Sequence, residues 1–395
     1  MTPTPSLNSL HSNLSLTDSL NHNFPAVLAC AFFAAALALA EVPKQTPPLS
    51  DLAPFFQPPA EHASSLSKYR SPLLFDDGSE AKSPKDWKRR REEILKYWHK
   101  IMGPWPPLLE KPKIEVLEQI ERENFVQRRV RIQIAPEQTC DGFVLIPKSR
   151  GPRPAVVVPF YDAESGAGLG KPHRDFGYQL TKRGFVTLSI GSPGGDARNP
   201  ESGEAKCQPL SFLAYVAANC ANALAQLPEV DAQRIGIVGH SYGGKWAMFA
   251  SCLFERFACA VWSDPGIVFD EKRANVNYWE RWYLGAEAGK ERTPGIPNEK
   301  NPRTAAYKTL VEQGRDLHEL HALMAPRPFF VSGGSEDPPE RWAALNHSVA
   351  VNRLLGYENR VAMANRPNHE PTTESNEQIY RFFEHFLKPG QVSAR

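Results

Sequence analysis

The sequence has almost no charge imbalance: 46 Lys and Arg stand against 44 Asp and Glu, a net charge of +2 over 395 residues. Without an excess of one sign, a nucleic-acid or membrane-surface partner is disfavoured, and a small-molecule or neutral-polymer substrate fits better. Cysteine is scarce and unpatterned. Beyond Cys30, the set Cys140, Cys207, Cys220, Cys252 and Cys259 is odd in number and lacks metal-ligand spacing. Neither a zinc site nor a disulfide framework is implied. A Cys207–Cys220 bridge in an oxidising compartment stays open, while Cys252 and Cys259 read as small buried residues. There is no internal repeat.

A long apolar run occurs near the start. Phe24 to Ala40 ends in Ala38-Leu39-Ala40 and follows a stretch, Met1 to Asn23, that holds no Lys or Arg. The pattern resembles a secretory signal cleaved after Ala40 and implies a secreted or periplasmic protein. Signals usually carry positive charge before the apolar core, so a mis-assigned start codon or an uncleaved N-terminal anchor is the alternative. If uncleaved, this segment is the expected membrane contact. Residues 41–83, rich in Pro, Ser and charge, read as an extended linker.

From 84 to 395 the pattern is that of one folded domain. Ser83-Pro84-Lys85-Asp86 opens a helix with Ser83 as N-cap, and Gly103-Pro104 stops it. The basic run Lys88 to Arg91 is followed at once by Glu92 and Glu93, which reads as a solvated helix face. Ile114 to Leu117, Phe125 to Ile134 and Asp141 to Ile146 read as antiparallel strands. Continuous apolar strands then alternate with helices: Pro154 to Pro159, helix His173 to Arg183, Phe185 to Ile190, helix Leu210 to Leu227, Arg234 to Val238. Further strands are expected at Phe257 to Trp262, Pro326 to Ser332 and Arg360 to Ala364, with helices Glu340 to Leu355 and Ser375 to Leu387. Such alternation predicts an α/β fold whose mostly parallel sheet is covered by helices on both faces. From Ile267 to about Arg315 the pattern lapses into an aromatic, charged insertion. At that place it is expected to cap the site, with Trp279 and Trp282 facing substrate; a packed ornament whose aromatics bury themselves is the competing reading.

The chemistry centres on Gly239-His240-Ser241-Tyr242-Gly243, which follows the strand Arg234 to Val238 and opens a helix. A serine at the apex of so tight a turn needs neighbours with almost no side chain, and both 239 and 243 are glycine. Ser241 is the expected nucleophile. A hydroxyl needs an imidazole to take its proton and a carboxylate to orient that imidazole. Of eleven histidines, His369 lies in the loop between the last strand and the last helix, where the order Ser, acid, His puts the base. His240 is expected to point away from Ser241, and His318, His321, His347 and His385 fall in helical patterns as surface or capping residues. Asp337, after the penultimate strand, ranks first as the acid; Asp264, one strand earlier, and Glu336 follow. The oxyanion hole is expected from the N–H of Tyr242 and one from Phe160 or Tyr161. Lys245, one turn into the helix, is a candidate substrate contact. No metal or organic cofactor is called for.

These residues resemble the α/β-hydrolase superfamily over roughly Phe125 to Lys388. Within it, Gly239-His240-Ser241 with Gly244-Lys245, Ser263-Asp264-Pro265-Gly266, Ala325-Pro326-Arg327-Pro328 and Asn368-His369 resemble dienelactone-hydrolase-like and acetyl xylan esterase-like proteins, and more distantly glucuronoyl esterases. The last resemblance implies a sugar contact for Lys245, but Tyr242 stands where those enzymes carry an arginine that assists the oxyanion. In some relatives the acid occupies the place of Asp264, in others that of Asp337. The resemblance implies a serine hydrolase of carboxylic esters, most plausibly carbohydrate esters of the deacetylase or uronate-ester type. The alternatives are a serine peptidase of the prolyl-oligopeptidase type and an inactive binding protein on the same fold. The oligomeric state is not legible.

Overall fold

The computed structural model describes residues 52–388; the apolar run 24–40 lies outside them. The described part of the stretch expected as a linker, residues 52–83, is fastened to the domain. Leu52 and Phe56 are buried, Phe55 stacks on Phe330 with ring centroids 6.0 Å apart, and the Asn346 amide donates to the carbonyls of His62 (2.9 Å) and Ser65 (2.8 Å). His318 and His347 bond the carbonyls of Arg70 (2.6 Å) and Leu66 (3.1 Å). His318, His321, His347 and His385 are not surface residues: all four are buried, His318 and His347 against this strap and His321 on Trp262 and Phe329.

Helix α1 (Pro84–Met102) begins as expected, its N-cap Ser83 oxygen accepting from the Asp86 N–H. It buries Trp87, Ile94, Trp98 and Met102 along one stripe, as heptad-like spacing requires. Its basic run is only partly solvated: Arg90 is fully buried and donates to the Pro72 carbonyl (3.2 Å) and to Asp76 (3.2 Å).

Among the described residues nine strands form one sheet in the order β1-β2-β3-β5-β4-β6-β7-β8-β9. Strands β1 (Ile114–Arg122), β2 (Phe125–Ala135) and β3 (Gln138–Pro147) form an antiparallel meander, and β3 meets β5 antiparallel. Strands β4 (Arg153–Pro159), β5 (Val186–Ile190), β6 (Val230–His240), β7 (Phe257–Ser263), β8 (Phe329–Gly333) and β9 (Val361–Asn365) are parallel. Their side chains alternate between two cores. Val157, Ile237, Ala260 and Val331 join the core of one face, while Val156, Val158, Val238, Val261 and Phe330 join that of the other. Burial on both sides explains why these strands read as unbroken apolar runs.

Short α2 (Ala163–Gly166) and α3 (Phe176–Lys182) follow β4, α4 (Pro209–Leu224) precedes β6, and α5 (Tyr242–Leu253) follows it. After β7 come α6 (Ala305–Glu312) and α7 (His318–Ala322); α8 (Trp342–Leu354) and α9 (Thr373–Leu387) follow β8 and β9. Because β5 lies on one side of β4 and β6 on the other, the loops leaving β4 and β6 flank a crevice at the carboxyl ends of the strands, the general ligand position of open α/β sheets.

The insertion 267–315 carries a single helix, α6. Tyr278, Trp279 and Tyr283 are buried, and Tyr278 stacks on Phe249 of α5 (6.1 Å). Gln208, at the start of α4, pairs both ways with the Ala286 backbone (2.9 and 3.0 Å). Most of the aromatics thus bury themselves; Phe269 and Trp282 stay part-exposed, the latter with Arg198 over its ring. The described cysteines are all free, so no Cys207–Cys220 bridge forms. Among the described residues no helix is long and apolar enough to cross a membrane.

Candidate active site

Strand β6 delivers the chain to Ser241, which adopts φ 55° and ψ −113° before α5 begins. A left-handed φ on a residue with a Cβ costs on the order of 1–3 kcal/mol and persists only when its surroundings over-determine it. Here the Ser241 N–H donates to Ser263 O (2.8 Å) and the Ser241 carbonyl accepts from Lys245 N–H (2.9 Å). The flanking glycines are obligatory: a Cβ at 239 would lie 2.1 Å from Gly243 O, and one at 243 would lie 2.1 Å from Pro159 O.

The structure brings the Ser241 hydroxyl to His369 and His369 to a carboxylate. Ser241 Oγ lies 2.9 Å from His369 Nε2, and His369 Nδ1 lies 2.7 Å from Asp264 Oδ2. The carboxylate that meets His369 is therefore Asp264, not Asp337, which was ranked first on chain order. Asp264 is fully buried at φ 50°, and its Oδ1 accepts from the N–H groups of Gly334 (2.6 Å), Glu336 (3.2 Å) and Asp337 (2.9 Å). These amides satisfy the acceptor oxygen and fix the orientation of the carboxylate. The loop after β8 thus supplies the cradle for the acid rather than the acid. Asp337, also fully buried, turns the other way: its oxygens accept from the N–H groups of Gly266 (2.9 Å) and Ile267 (2.6 Å). Burial and then the neighbouring Asp264 carboxylate raise its pKa above the usual carboxylate range. Glu336 is likewise off the histidine, accepting from the Asn275 amide (3.2 Å) and the Ser335 hydroxyl (2.9 Å).

His240 does not point away from the centre. Its ring lies 4.6 Å from that of His369, its Nδ1 is 3.1 Å from Ser263 Oγ, and burial followed by His369 holds its pKa well below 6.5. It is a neutral imidazole packed on His369.

Of the expected oxyanion donors, Tyr242 opens α5, so its N–H belongs to the first turn, where amides have no acceptor within the helix. Phe160 does not fit, because its N–H already donates to Ile190 O (3.0 Å). That leaves Tyr161. Desolvation raises the pKa of its phenol, and the nearby Ser241 hydroxyl opposes the rise. Its ring packs 4.8 Å from the Tyr242 ring, whose own hydroxyl is turned inward onto Ser192 Oγ (3.0 Å).

Two expected substrate contacts do not face a pocket. Lys245 is buried, its ammonium donating to the carbonyls of Pro265 (2.8 Å) and Asn275 (3.0 Å). Burial pulls its pKa down to about 8, with Asp337, Glu336 and Asp264 pulling the other way. Helix spacing could not say which way this lysine turns; it ties the elbow helix to the start of the insertion. Trp279 is buried with its Nε1–H on Glu280 (3.0 Å). What does open beside Tyr161 is a cavity of about 460 Å³ between the loops after β4 and β5, lined among others by Glu164, Ser192 and Glu201.

Arg366 was not singled out from the sequence. It leaves the end of β9 and is buried, with its guanidinium on the carbonyls of His369 (2.6 Å), Glu370 (2.9 Å) and Ser332 (2.8 Å). An arginine three residues before a loop histidine carries no local signal; its meaning depends on strand ends far away in sequence.

A strained strand-to-helix serine bonded to a histidine after the last strand, itself bonded to a carboxylate after β7, stands on this sheet: the chain has the α/β-hydrolase fold. The model of the prolyl oligopeptidase family matches residues 215–387. Among solved structures, the chain is similar to a glucuronoyl esterase from Solibacter usitatus, with a TM-score of 0.65 at 17% identity, covering 81% of this chain and 98% of that one. It is similar to a promiscuous CE15 esterase from the marine bacterial metagenome, with a TM-score of 0.63 at 17% identity and coverage of 82% and 99%. A putative acetyl xylan esterase from Bacteroides fragilis gives a TM-score of 0.53 at 17% identity and coverage of 81% and 88%. No curated protein sequence matches the chain.

Proposed function

We propose that this protein is a serine hydrolase that cleaves carboxylic esters through an acyl-enzyme, with a carbohydrate ester as substrate. The observation that carries the reading is the continuous hydrogen-bonded line from Ser241 Oγ through His369 to Asp264, at 2.9 and 2.7 Å. Ser241 attacks the ester carbonyl as His369 Nε2 takes its proton; the same imidazole then returns the proton to the leaving alcohol. Asp264, held in place by three backbone amides, fixes the tautomer that leaves Nε2 free to accept and stabilises the imidazolium. The Tyr242 N–H and the Tyr161 N–H or phenol stabilise the oxyanion. Water then repeats the cycle on the acyl-enzyme.

The substrate side rests on two supports. The structures it is similar to are described as carbohydrate esterases, and the cavity beside Tyr161 presents carboxylates and a hydroxyl that accept from sugar hydroxyls. Tyr242 in place of an arginine and the buried Lys245 favour a deacetylase over a uronate esterase. A serine peptidase is the second reading, favoured by the family match over 215–387; against it, the described residues ahead of β1 form the strap and α1, not a propeller. Secretion or periplasmic residence rests on the 24–40 run, and N-terminal sequencing of the mature protein tests it. A panel of acetylated sugars, uronate methyl esters, simple esters and prolyl amides, with Ser241→Ala as control, tests the function. Ester turnover that vanishes in S241A is expected; prolyl amides as the preferred substrates would sink the esterase reading.

A further inference from the structure

We infer that Arg366 is the positioning residue of the catalytic base, a single guanidinium that fixes the loop of His369 to the strand ends carrying the nucleophile's anchor and the acid. The inference rests on the hydrolase reading above for the role of His369.

The geometry uses the whole planar fork. Nε–H donates to Glu370 O (2.9 Å), one terminal nitrogen to Ser332 O (2.8 Å), Ser332 Oγ (3.1 Å) and Gly333 O (3.3 Å), and the other to His369 O (2.6 Å) and Ser263 Oγ (3.4 Å). These acceptors come from three places: the His369 loop, the end of β8 and the end of β7. Ser263 is the residue before Asp264, its carbonyl receives the Ser241 N–H (2.8 Å), and its hydroxyl meets His240 (3.1 Å). One side chain is thus shared by the segments that hold nucleophile, base and acid. The two carbonyls it takes from 369 and 370 lie in a short loop that has no helix or strand bonds of its own to hold it, since β9 ends at Asn365 and α9 begins at Thr373. A second effect is electrostatic. The guanidinium is a buried cation whose pKa burial lowers while Asp264 and then Asp337 raise it, so it partly offsets two buried carboxylates.

Only arginine suits this place, because its five donors lie in a rigid plane; lysine offers a point charge on a flexible stem and cannot meet acceptors on three sides at once. Misplacing a catalytic group by about 1 Å costs about 10²-fold in rate.

The test compares wild type with Arg366→Ala, Arg366→Gln and Arg366→Lys on p-nitrophenyl acetate, with and without sub-denaturing guanidinium chloride. R366A is expected to lose about 10²-fold in kcat with KM within about two-fold, R366K to lose less, and guanidinium to restore R366A at least several-fold while leaving wild type unchanged. R366Q covers the case in which R366A does not fold. Backbone hydrogen exchange at Asn368 to Glu370 reads the positioning without catalysis, and faster exchange in the variants is expected. Unchanged kcat and unchanged exchange would overturn the role of Arg366. Loss of activity that tracks loss of folded protein, with no guanidinium rescue, would overturn it too. A wild type that turns over no ester would instead refute the hydrolase reading, and the exchange data would still decide whether Arg366 orders the loop.

Discussion

Asp264 and Asp337 each take their hydrogen bonds from the loop that carries the other. Asp264, just after β7, accepts from the amides of residues 334, 336 and 337, and Asp337, after β8, accepts from those of 266 and 267. The two strand ends are laced together, and only one of the two carboxylates is left facing His369.

The acids should therefore separate in kinetics. Asp264→Asn keeps the shape but forces the wrong imidazole tautomer, which costs on the order of 10⁴ in kcat in serine hydrolases. Asp337→Asn touches no catalytic group and is expected to stay within about ten-fold of wild type, a small shift compared with the tautomer effect. Measuring kcat for both on one ester checks this, and the reverse ranking would return the acid to Asp337.

Gly334 is the close approach that lets the cradle form. A Cβ there would lie 2.4 Å from Asn368 O and 2.6 Å from Asp264 Oδ2, so Gly334→Ala must displace either the acid or the residue before the base. A fall in kcat of about 10²-fold with KM little changed is expected. Full activity in G334A would show that the cradle is not needed.

Lys245 separates two roles by which measurement moves. If its ammonium serves the carbonyls of Pro265 and Asn275, Lys245→Met removes two charge-assisted hydrogen bonds, at about 1–3 kcal/mol each. The urea midpoint should fall while KM for an acetylated sugar stays within about two-fold, a change below 0.5 kcal/mol. A raised KM at unchanged stability would make the lysine a substrate contact after all.

The strand-to-helix turn at Ser241 and the loop position of His369 were legible in the sequence because each depends on a short stretch. Gly239, Ser241 and Gly243 report one turn between a strand and a helix, and His369 sits in a loop bounded by a strand and a helix that both show in the pattern. The choice between Asp264 and Asp337 was not legible, since each follows a strand in the same way and the amides that distinguish them come from a loop about seventy residues away. Arg366 escaped for the same reason. The insertion misled at Trp279, because aromatic content says that surface is buried but not against what. The covered strands, by contrast, announced themselves through unbroken apolar runs that two packed faces demand.

The strap over α7 and α8 makes stability depend on pH. Burial lowers the His318 pKa from 6.5 to about 3 and lowers that of His347 as well. The folded state thus binds fewer protons than the unfolded one. The His318 contribution is complete above about pH 6.5 and is lost as pH falls toward 3, by up to about 1.4 kcal/mol per unit, and His347 adds a loss in the same direction. Urea midpoints at pH 7, 6 and 5 should decline, and His318→Gln should flatten the decline; identical slopes would remove His318 as the cause.

The most direct test is to trap the acyl-enzyme. Wild-type protein quenched in acid during turnover of an acetyl ester, digested and analysed by mass spectrometry, should carry one acetyl group on the peptide containing Ser241, and Asp264→Asn should accumulate it far more slowly. Turnover with no acyl group on Ser241, or an acyl group at another residue that persists in Ser241→Ala, would contradict the assignment.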